Sequence, residues 1–468
     1  MSVNLLEEIL HPQAVAIVGA SGDPAASGYQ FIRSLLDGGY RGRIYPVNPN
    51  YSEILGIKSH PSLRDIPGSV SYVICCISAL RVPDLLEDCS QKGVKADHLF
   101  SARMSGTGRS DAIELEREIL KQAERRGIRL IGPNGLGIYY PKEGLSFSCD
   151  LPKEPGSVGG IIQSGGLSAE LIHLASLRGI RFSKVISYGN ACDLNESDFI
   201  EYLTDDPETK VMAAYIEGIK DGARFTEVLK RAARVKPVII YKGGITETGA
   251  RMAASHTGSI AGSARIWDSL LKQVGAIQVH NIEELVDVAL LFTYMSPPKG
   301  RNIAIIGVGG GVSVQAADAC SNAGLAMPLL PVEIRQELRD IGMPEVGRIL
   351  KNPLDVWIIG EQEIPQKVTK IVANWEQVDL LIIDIELDIV AMADVELMMA
   401  YIEAAINLGE EINKRTAIVL GATSRAESKQ LALETQTALY KAGFPVYPSV
   451  SRAANAISKF IQYHQRQR

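Results

Sequence analysis

The chain has 468 residues, more than one hydrophobic core usually serves, so roughly two to four domains are expected. Its 46% hydrophobic and 22% charged residues are the balance of an ordinary soluble globular protein, and a formal charge of −6 with 6% aromatics speaks against nucleic-acid or anionic-membrane partners. No apolar run approaches the ~20 residues of a spanning helix; the acidic start, Met1 to Glu8, lacks a secretion signal, and the six scattered cysteines read as reduced thiols of a cytoplasmic protein.

Short apolar, β-branched runs alternate with helical patterns from end to end, which predicts an α/β protein of parallel sheets covered by helices on both faces. The first strands are expected at Ala14 to Val18, Arg43 to Val47, Val70 to Ile77 and Leu130 to Ile131, with helices over Tyr29 to Leu36 and Ala112 to Arg126 between them. Two prolines break the pattern at Leu151-Pro152-Lys153-Glu154-Pro155-Gly156. A second set follows at Val158 to Gln163, Phe182 to Tyr188, Val211 to Ile216 and Pro237 to Tyr241. After Ser296-Pro297-Pro298-Lys299-Gly300 a third set runs through Asn302 to Val308, Val378 to Ile385 and Thr416 to Leu420. These breaks predict three domains, near 1–145, 150–295 and 300–468.

Each predicted domain opens with a strand that runs into glycines and then a helix. The turns are Val18-Gly19-Ala20-Ser21-Gly22, Gln163-Ser164-Gly165-Gly166 and Gly307-Val308-Gly309-Gly310-Gly311. Glycine lets the backbone approach a ligand closely, and a helix N-terminus presents free N–H groups to an anion. Three such turns in succession make phosphate chemistry plausible. A nicotinamide dinucleotide fits poorly: the first turn lacks the G-x-G-x-x-G spacing, and Tyr45-Pro46-Val47-Asn48-Pro49-Asn50 has no carboxylate for the ribose hydroxyls.

Six of the seven histidines, His11, His60, His98, His173, His280 and His464, stand without obvious partners in the sequence. His256 differs, lying in Ala253-Ala254-Ser255-His256-Thr257-Gly258-Ser259-Ile260-Ala261-Gly262, where small residues leave room for a large ligand or another subunit. A helix is expected after it, from about Ser263 to Lys272. A neutral imidazole is a usable nucleophile near neutral pH once its other ring nitrogen is oriented by an acceptor. Glu217, in Tyr215-Ile216-Glu217-Gly218 at the end of a predicted strand, is a candidate for that acceptor or simply a charge leaving a buried strand.

Several of these segments resemble landmarks of the NDP-forming acyl-CoA synthetases, relatives of succinyl-CoA synthetase. Val18-Gly19-Ala20-Ser21, Ser27-Gly28-Tyr29 and Tyr45-Pro46-Val47-Asn48-Pro49 are similar to that family's CoA-binding domain. The His256 segment is similar to its phosphohistidine segment, and Tyr215 to Gly218 to the segment whose glutamate meets that histidine. Gly132-Pro133-Asn134-Gly135-Leu136-Gly137, Gln163 to Leu167 and Gly189-Asn190-Ala191-Cys192-Asp193 follow in the family's order, and Asn352-Pro353-Leu354-Asp355 and Gly443-Phe444-Pro445-Val446-Tyr447 resemble its last domain.

The resemblance implies a CoA-binding Rossmann-like domain followed by two flavodoxin-like, doubly wound domains. It implies CoA at Gly19, Ser21, Ser27, Gly28, Val47, Asn48 and Pro49, a phosphoryl group carried by His256, and Glu217 orienting that ring. Gln163, Ser164, Gly165 and Gly166, running into a helix from Ser168, are the expected phosphate cradle. The implied reaction converts acyl-CoA, phosphate and ADP (or GDP) into a small carboxylic acid, CoA and nucleoside triphosphate. No Walker pattern is present, and Gly244 to Arg251 lacks its Lys-Ser end. The ATP-grasp domain that the family also needs is not recognised in this sequence, so the resemblance implies nucleotide and Mg2+ on a separate ATP-grasp β subunit, in an α2β2 assembly, with no metal site in this chain. The family's Gly-Phe-x-Glu-x-Gly stretch reads Arg103 to Gly108 without the glutamate, its Val-Pro-Ala reads Ile77-Ser78-Ala79, and its Cys or Ser after Pro-Asn is Gly135. These departures bear on which acyl group is used, and a CoA-binding regulatory protein of the same fold is the alternative.

Overall fold

The computed structural model describes residues 2–100, 104, 107–257, 263–307, 310–343, 350–356, 364–387, 415–421 and 426–467. The chain forms two compact units, Met1–Ser176 with Ile180–Leu285, and Leu177–Gly179 with Val286–Arg468. Among the described residues no helix is long and apolar enough to cross a membrane.

Among the described residues the first unit holds two large sheets and a two-stranded hairpin. Strands β1 (Ala14–Val18) and β2 (Arg43–Val47) form where β-branched runs lie against turn residues, and a small hairpin of β3 (Glu53–Ile54) and β4 (Ile57–Lys58) follows. With β5 (Tyr72–Cys75), β6 (Ala96–Leu99) and β7 (Arg129–Ile131) they give a parallel sheet in the order β2-β1-β5-β6-β7. Helices Ser27–Gly38 and Ser110–Arg126 end where Gly39 (φ 79°) and Gly127 (φ 66°) take the left-handed conformation that closes a helix. The expected strand Val70 to Ile77 is shorter, because only Tyr72 to Cys75 pairs with β1 and β6. Strand β6 was hidden from the pattern: Ala96-Asp97-His98-Leu99 is wholly buried yet carries a carboxyl and an imidazole.

The second sheet comprises β8 (Gly137–Tyr139), β9 (Val158–Ile162), β10 (Phe182–Ser187), β11 (Val211–Ile216), β12 (Val238–Lys242) and β13 (Ile277–Val279), ordered β13-β12-β11-β9-β10-β8. It is not wholly parallel, since β8 runs antiparallel to β10. Residues 132–136 alone link β7 to β8, so the chain enters this edge directly from the first sheet, without the long crossover that a parallel strand needs. Helix Gly165–Leu177 begins three residues before the expected start at Ser168.

The second unit is built on a parallel sheet ordered β15-β14-β16-β17-β18, from β14 (Ile303–Gly307), β15 (Leu354–Asp355), β16 (Leu380–Ile385), β17 (Arg415–Leu420) and β18 (Val446–Tyr447). Strands β13, β15 and β18 are too short to carry a two-residue periodicity and were not foreseen.

Candidate active site

In the first sheet the chain passes from β1 outward to β2 and then returns to β5 on the other side of β1. The carboxyl ends of β1 and β5 therefore diverge into a crevice, the usual ligand position of an open parallel sheet. A cleft of about 890 Å³ opens there, lined by Ser27, Cys76, Ile77, Ser78, Phe100, Arg109 and Asn134 among others. Gly19 (φ 87°) makes the crevice possible: a Cβ there would lie 2.9 Å from the Cys76 carbonyl carbon. Gly28 seats the following helix against the turn, with 2.3 Å between a hypothetical Cβ and the Gly19 oxygen.

The remaining residues of the expected CoA set gather around this turn. Val47 packs into the core while its carbonyl accepts from the Gly19 and Ala20 amides at 3.1 and 3.3 Å. Asn48 donates its side-chain amide to the Ala20 oxygen at 2.6 Å and accepts from the Asn50 amide at 2.9 Å, so its polar atoms brace the loop. The Ser21 hydroxyl accepts from the Asp23 amide at 3.0 Å, and Pro49 is exposed. Of the set, Ser27 lines the cleft itself.

Arg109 is a cleft residue that the sequence reading did not single out, and Asn134 was named there only within the Gly132 to Gly137 landmark, with no role. Arg109 places a cation at the wall, shared with Asp111 at 2.6 Å. Asn134 sits exposed in the left-handed region (φ 65°), uncommon for a residue with a side chain. Its loop is held by backbone contact with the second sheet: Asn190 donates to the Pro133 oxygen at 2.9 Å, and a Cβ on Gly135 would come within 2.4 Å of the Ser187 oxygen. From below, the wholly buried His98 donates Nε2–H to the Gly135 oxygen at 2.9 Å, and burial pushes that imidazole down to about 4. His11, His173 and His280 likewise have partners, in Glu7 and Glu143, Asp150 and Glu284 respectively. The Glu7 and Glu284 partners lie at i,i+4 spacing, whereas Glu143 and Asp150 are brought in from distant sequence.

The second group lies at the carboxyl ends of β9, β11 and β12. Gln163 follows β9 and is buried; its side-chain oxygen accepts from the backbone amides of Glu217 at 2.7 Å and Gly218 at 3.3 Å. This carbonyl is thus engaged by the end of β11, which makes Gln163 a clasp on the loop carrying Glu217. The buried Glu217 carboxylate accepts from the Tyr215 hydroxyl at 3.1 Å. Ser164 caps helix Gly165–Leu177 through its hydroxyl, which accepts from the Leu167 amide at 3.4 Å. Gly165 and Gly166 form the first turn of that helix, and a Cβ on Gly166 would meet nothing within 4 Å, so open space lies over that amide turn.

Lys242, which closes β12 beside Ile216 of β11, completes the group. Its Nζ donates to the Glu217 backbone oxygen at 2.7 Å and to the Gly243 oxygen, and lies 5.3 Å from the Trp267 ring centroid. Burial pushes this ammonium down to about 8, against the opposing pull of Glu217. The signal that could have found it is the one that drew attention to Glu217: a charged residue at the end of a buried strand. His256 is the penultimate residue of helix Glu247–Thr257, which follows β12; its side chain and residues 258–262 lie outside what is described.

Residues 13–141 match the CoA binding domain model, and residues 155–292 match the succinyl-CoA ligase like flavodoxin domain. The acetate–CoA ligase [ADP-forming] II subunit alpha of Pyrococcus furiosus is 38% identical over 379 residues, 81% of this chain and 82% of that protein. The corresponding I subunit alpha of the same organism is 32% identical over 98% of this chain and 97% of that protein. Among solved structures, the dinucleotide forming acetyl-coenzyme A synthetase 1 of Ca. Korarchaeum cryptofilum, in complex with phosphate and ADP, superposes with a TM-score of 0.86 at 30% identity, covering 99% of this chain and 97% of that one.

Proposed function

This chain belongs to the family of ADP-forming acetate–CoA ligase alpha subunits, and from that premise we propose that it interconverts an acyl-CoA with its free acid through an acyl phosphate and a phosphohistidine. The observation that carries the reading is the clustering of Gln163, Glu217 and the helix N-terminus at Gly165 at neighbouring strand ends, one strand and a short loop before the helix of His256. In the thioester-cleaving direction a phosphate oxygen attacks the acyl carbonyl carbon, the C–S bond breaks, and CoA leaves as thiolate. His256 then attacks phosphorus and the carboxylate departs as the P–O bond breaks. A terminal ADP oxygen finally takes the phosphoryl group as the N–P bond breaks, regenerating the imidazole.

Each residue group has a part in this sequence of steps. CoA occupies the cleft at Gly19, Ser21, Ser27 and Gly28, with Arg109 available to its phosphates. The amide turn at Gly165 and Gly166 faces the phosphate, where a helix N-terminus stabilises an anion. Glu217 accepts Nδ1–H of His256, which leaves Nε2 with the lone pair that attacks phosphorus. Nucleotide and its Mg2+ are assigned to a separate ATP-grasp β chain in an α2β2 assembly, a reading supported by the chain's match to relatives named as alpha subunits. The division into domains near 1–145, 150–295 and 300–468 belongs to the same proposal.

The test is phosphoryl labelling. The chain is incubated with its ATP-grasp partner and ATP labelled on the terminal phosphate, and the site of label is read by mass spectrometry. Label on His256, lost in His256→Asn together with net turnover, is the expected result. Full turnover in His256→Asn overturns the mechanism, and CoA binding without any label or turnover favours the regulatory alternative.

A further inference from the structure

The geometry points to Lys242 as a positioning residue for phosphoryl transfer, one that fixes the Glu217 backbone and adds a positive charge near its carboxylate. This inference rests on the reading in which Glu217 orients the ring of His256. Both backbone polar groups of Glu217 are held by side chains from the two strands flanking β11: Gln163, after β9, takes the amide at 2.7 Å, and Lys242, ending β12, takes the carbonyl at 2.7 Å. Holding the peptide groups on both sides of its Cα locks the direction in which the Glu217 side chain leaves the sheet.

Stability alone does not account for a lysine here. Lys242 is 2% exposed and, among the described residues, makes no ion pair; its ammonium is bonded to two carbonyls and faces an indole ring. Burying a cation with so little compensation is unfavourable, and an apolar side chain of similar length would pack against Trp267 at lower cost. A neutral amide could hold the carbonyl equally well. What the ammonium adds is charge, whose attraction for the neighbouring Glu217 carboxylate is felt strongly in a poorly solvated site and helps hold that side chain in place.

A double-mutant cycle on the full chain with its ATP-grasp partner tests the assignment, with overall ligase turnover as the readout. Lys242→Met is expected to lower kcat by about 10- to 100-fold, the usual effect of removing a group that orients another, while the KM for CoA changes less than about twofold. Lys242→Gln, which keeps donors but no charge, falls between. In a Glu217→Gln background Lys242→Met costs less than about twofold more, because the lysine acts through that carboxylate. Losses that multiply in the double variant, or wild-type kcat in folded Lys242→Met, overturn the inference; should Lys242→Met fail to fold, Lys242→Gln carries the same cycle. Turnover retained in His256→Asn would instead remove the phosphohistidine reading, and the cycle would still decide whether Lys242 works through Glu217.

Discussion

Asp97 offers a sharp test of the electrostatics beneath the cleft. It lies mid-strand in β6, between β5 and β7, wholly buried, and among the described residues neither carboxylate oxygen has a hydrogen-bond partner. Burial pushes this carboxyl up to about 8, whereas in the unfolded chain it titrates near ~3.9. A folded pKa raised above the unfolded one means that its contribution to stability is complete below ~4 and is lost as pH rises through about 8. At ~1.4 kcal/mol per unit, holding the proton at pH 7 costs the folded state ~4 kcal/mol. His98, its neighbour in the strand, has the opposite sign: pushed down to about 4, it supports the fold above ~6.5 and loses that support as pH falls.

The two slopes oppose each other between about pH 4 and ~6.5, so the clean window for Asp97 is pH ~6.5 to 8, where the wild type should lose ~2 kcal/mol. Asp97→Val removes the penalty; fitting its extra branch into a packed core returns ~1–3 kcal/mol, for a net gain of ~1–3 kcal/mol at pH 7. Amide hydrogen exchange in the peptides of β5, β6 and β7 at pH 6.5, 7.2 and 8 would measure it, variant against wild type at each pH. Equal loss of protection in both proteins across this window, or a variant less protected at pH 8, refutes the reasoning.

Four further outcomes are expected. Gly28→Val places a branched side chain where 2.3 Å separates a Cβ from the Gly19 oxygen, so it should destabilise by about 3 kcal/mol and weaken CoA binding at least tenfold by calorimetry. Gly135→Ser installs the residue type usual in the family, but with 2.4 Å between Cβ and the Ser187 oxygen a thermal melt should show the first unit less stable by ~1–3 kcal/mol. Arg109→Ala should weaken CoA binding only about two- to fivefold, and less at high salt, because its side chain is largely in water. Glu217→Gln preserves the shape beside Tyr215 and removes the charge; labelling of His256 should fall by about 10- to 100-fold with CoA affinity unchanged.

Much of the architecture is legible in nearest-neighbour chemistry. The β-branched runs at Ala14 to Val18 and Val211 to Ile216 became strands with those limits, and the glycine turns after Val18 and Ile162 stand where strands give way to helices, while Val308 and Gly309 of the third lie outside the described residues. The family could be named from the His256 segment and the turns before it, and the comparisons bear that out. Strand β6 escaped because Asp97 and His98 break the apolar alternation from which a buried strand is usually inferred. The antiparallel β8 escaped because a strand's direction depends on which edge it reaches, and three residues carry no sign of that.

The second site shows the division most clearly. Chain order places Gln163, Glu217 and Lys242 far apart, and each alone reads as an ordinary polar residue at the end of a strand. The sheet order β12-β11-β9 makes those three ends adjacent, with Ile216 beside Lys242 and Tyr215 beside Ile162. Residue types and their local spacing determine which segments become strands and where they stop. Which ends then meet depends on long-range pairing, through helices that pack on one face or the other, and it was this pairing that brought the lysine near the glutamate.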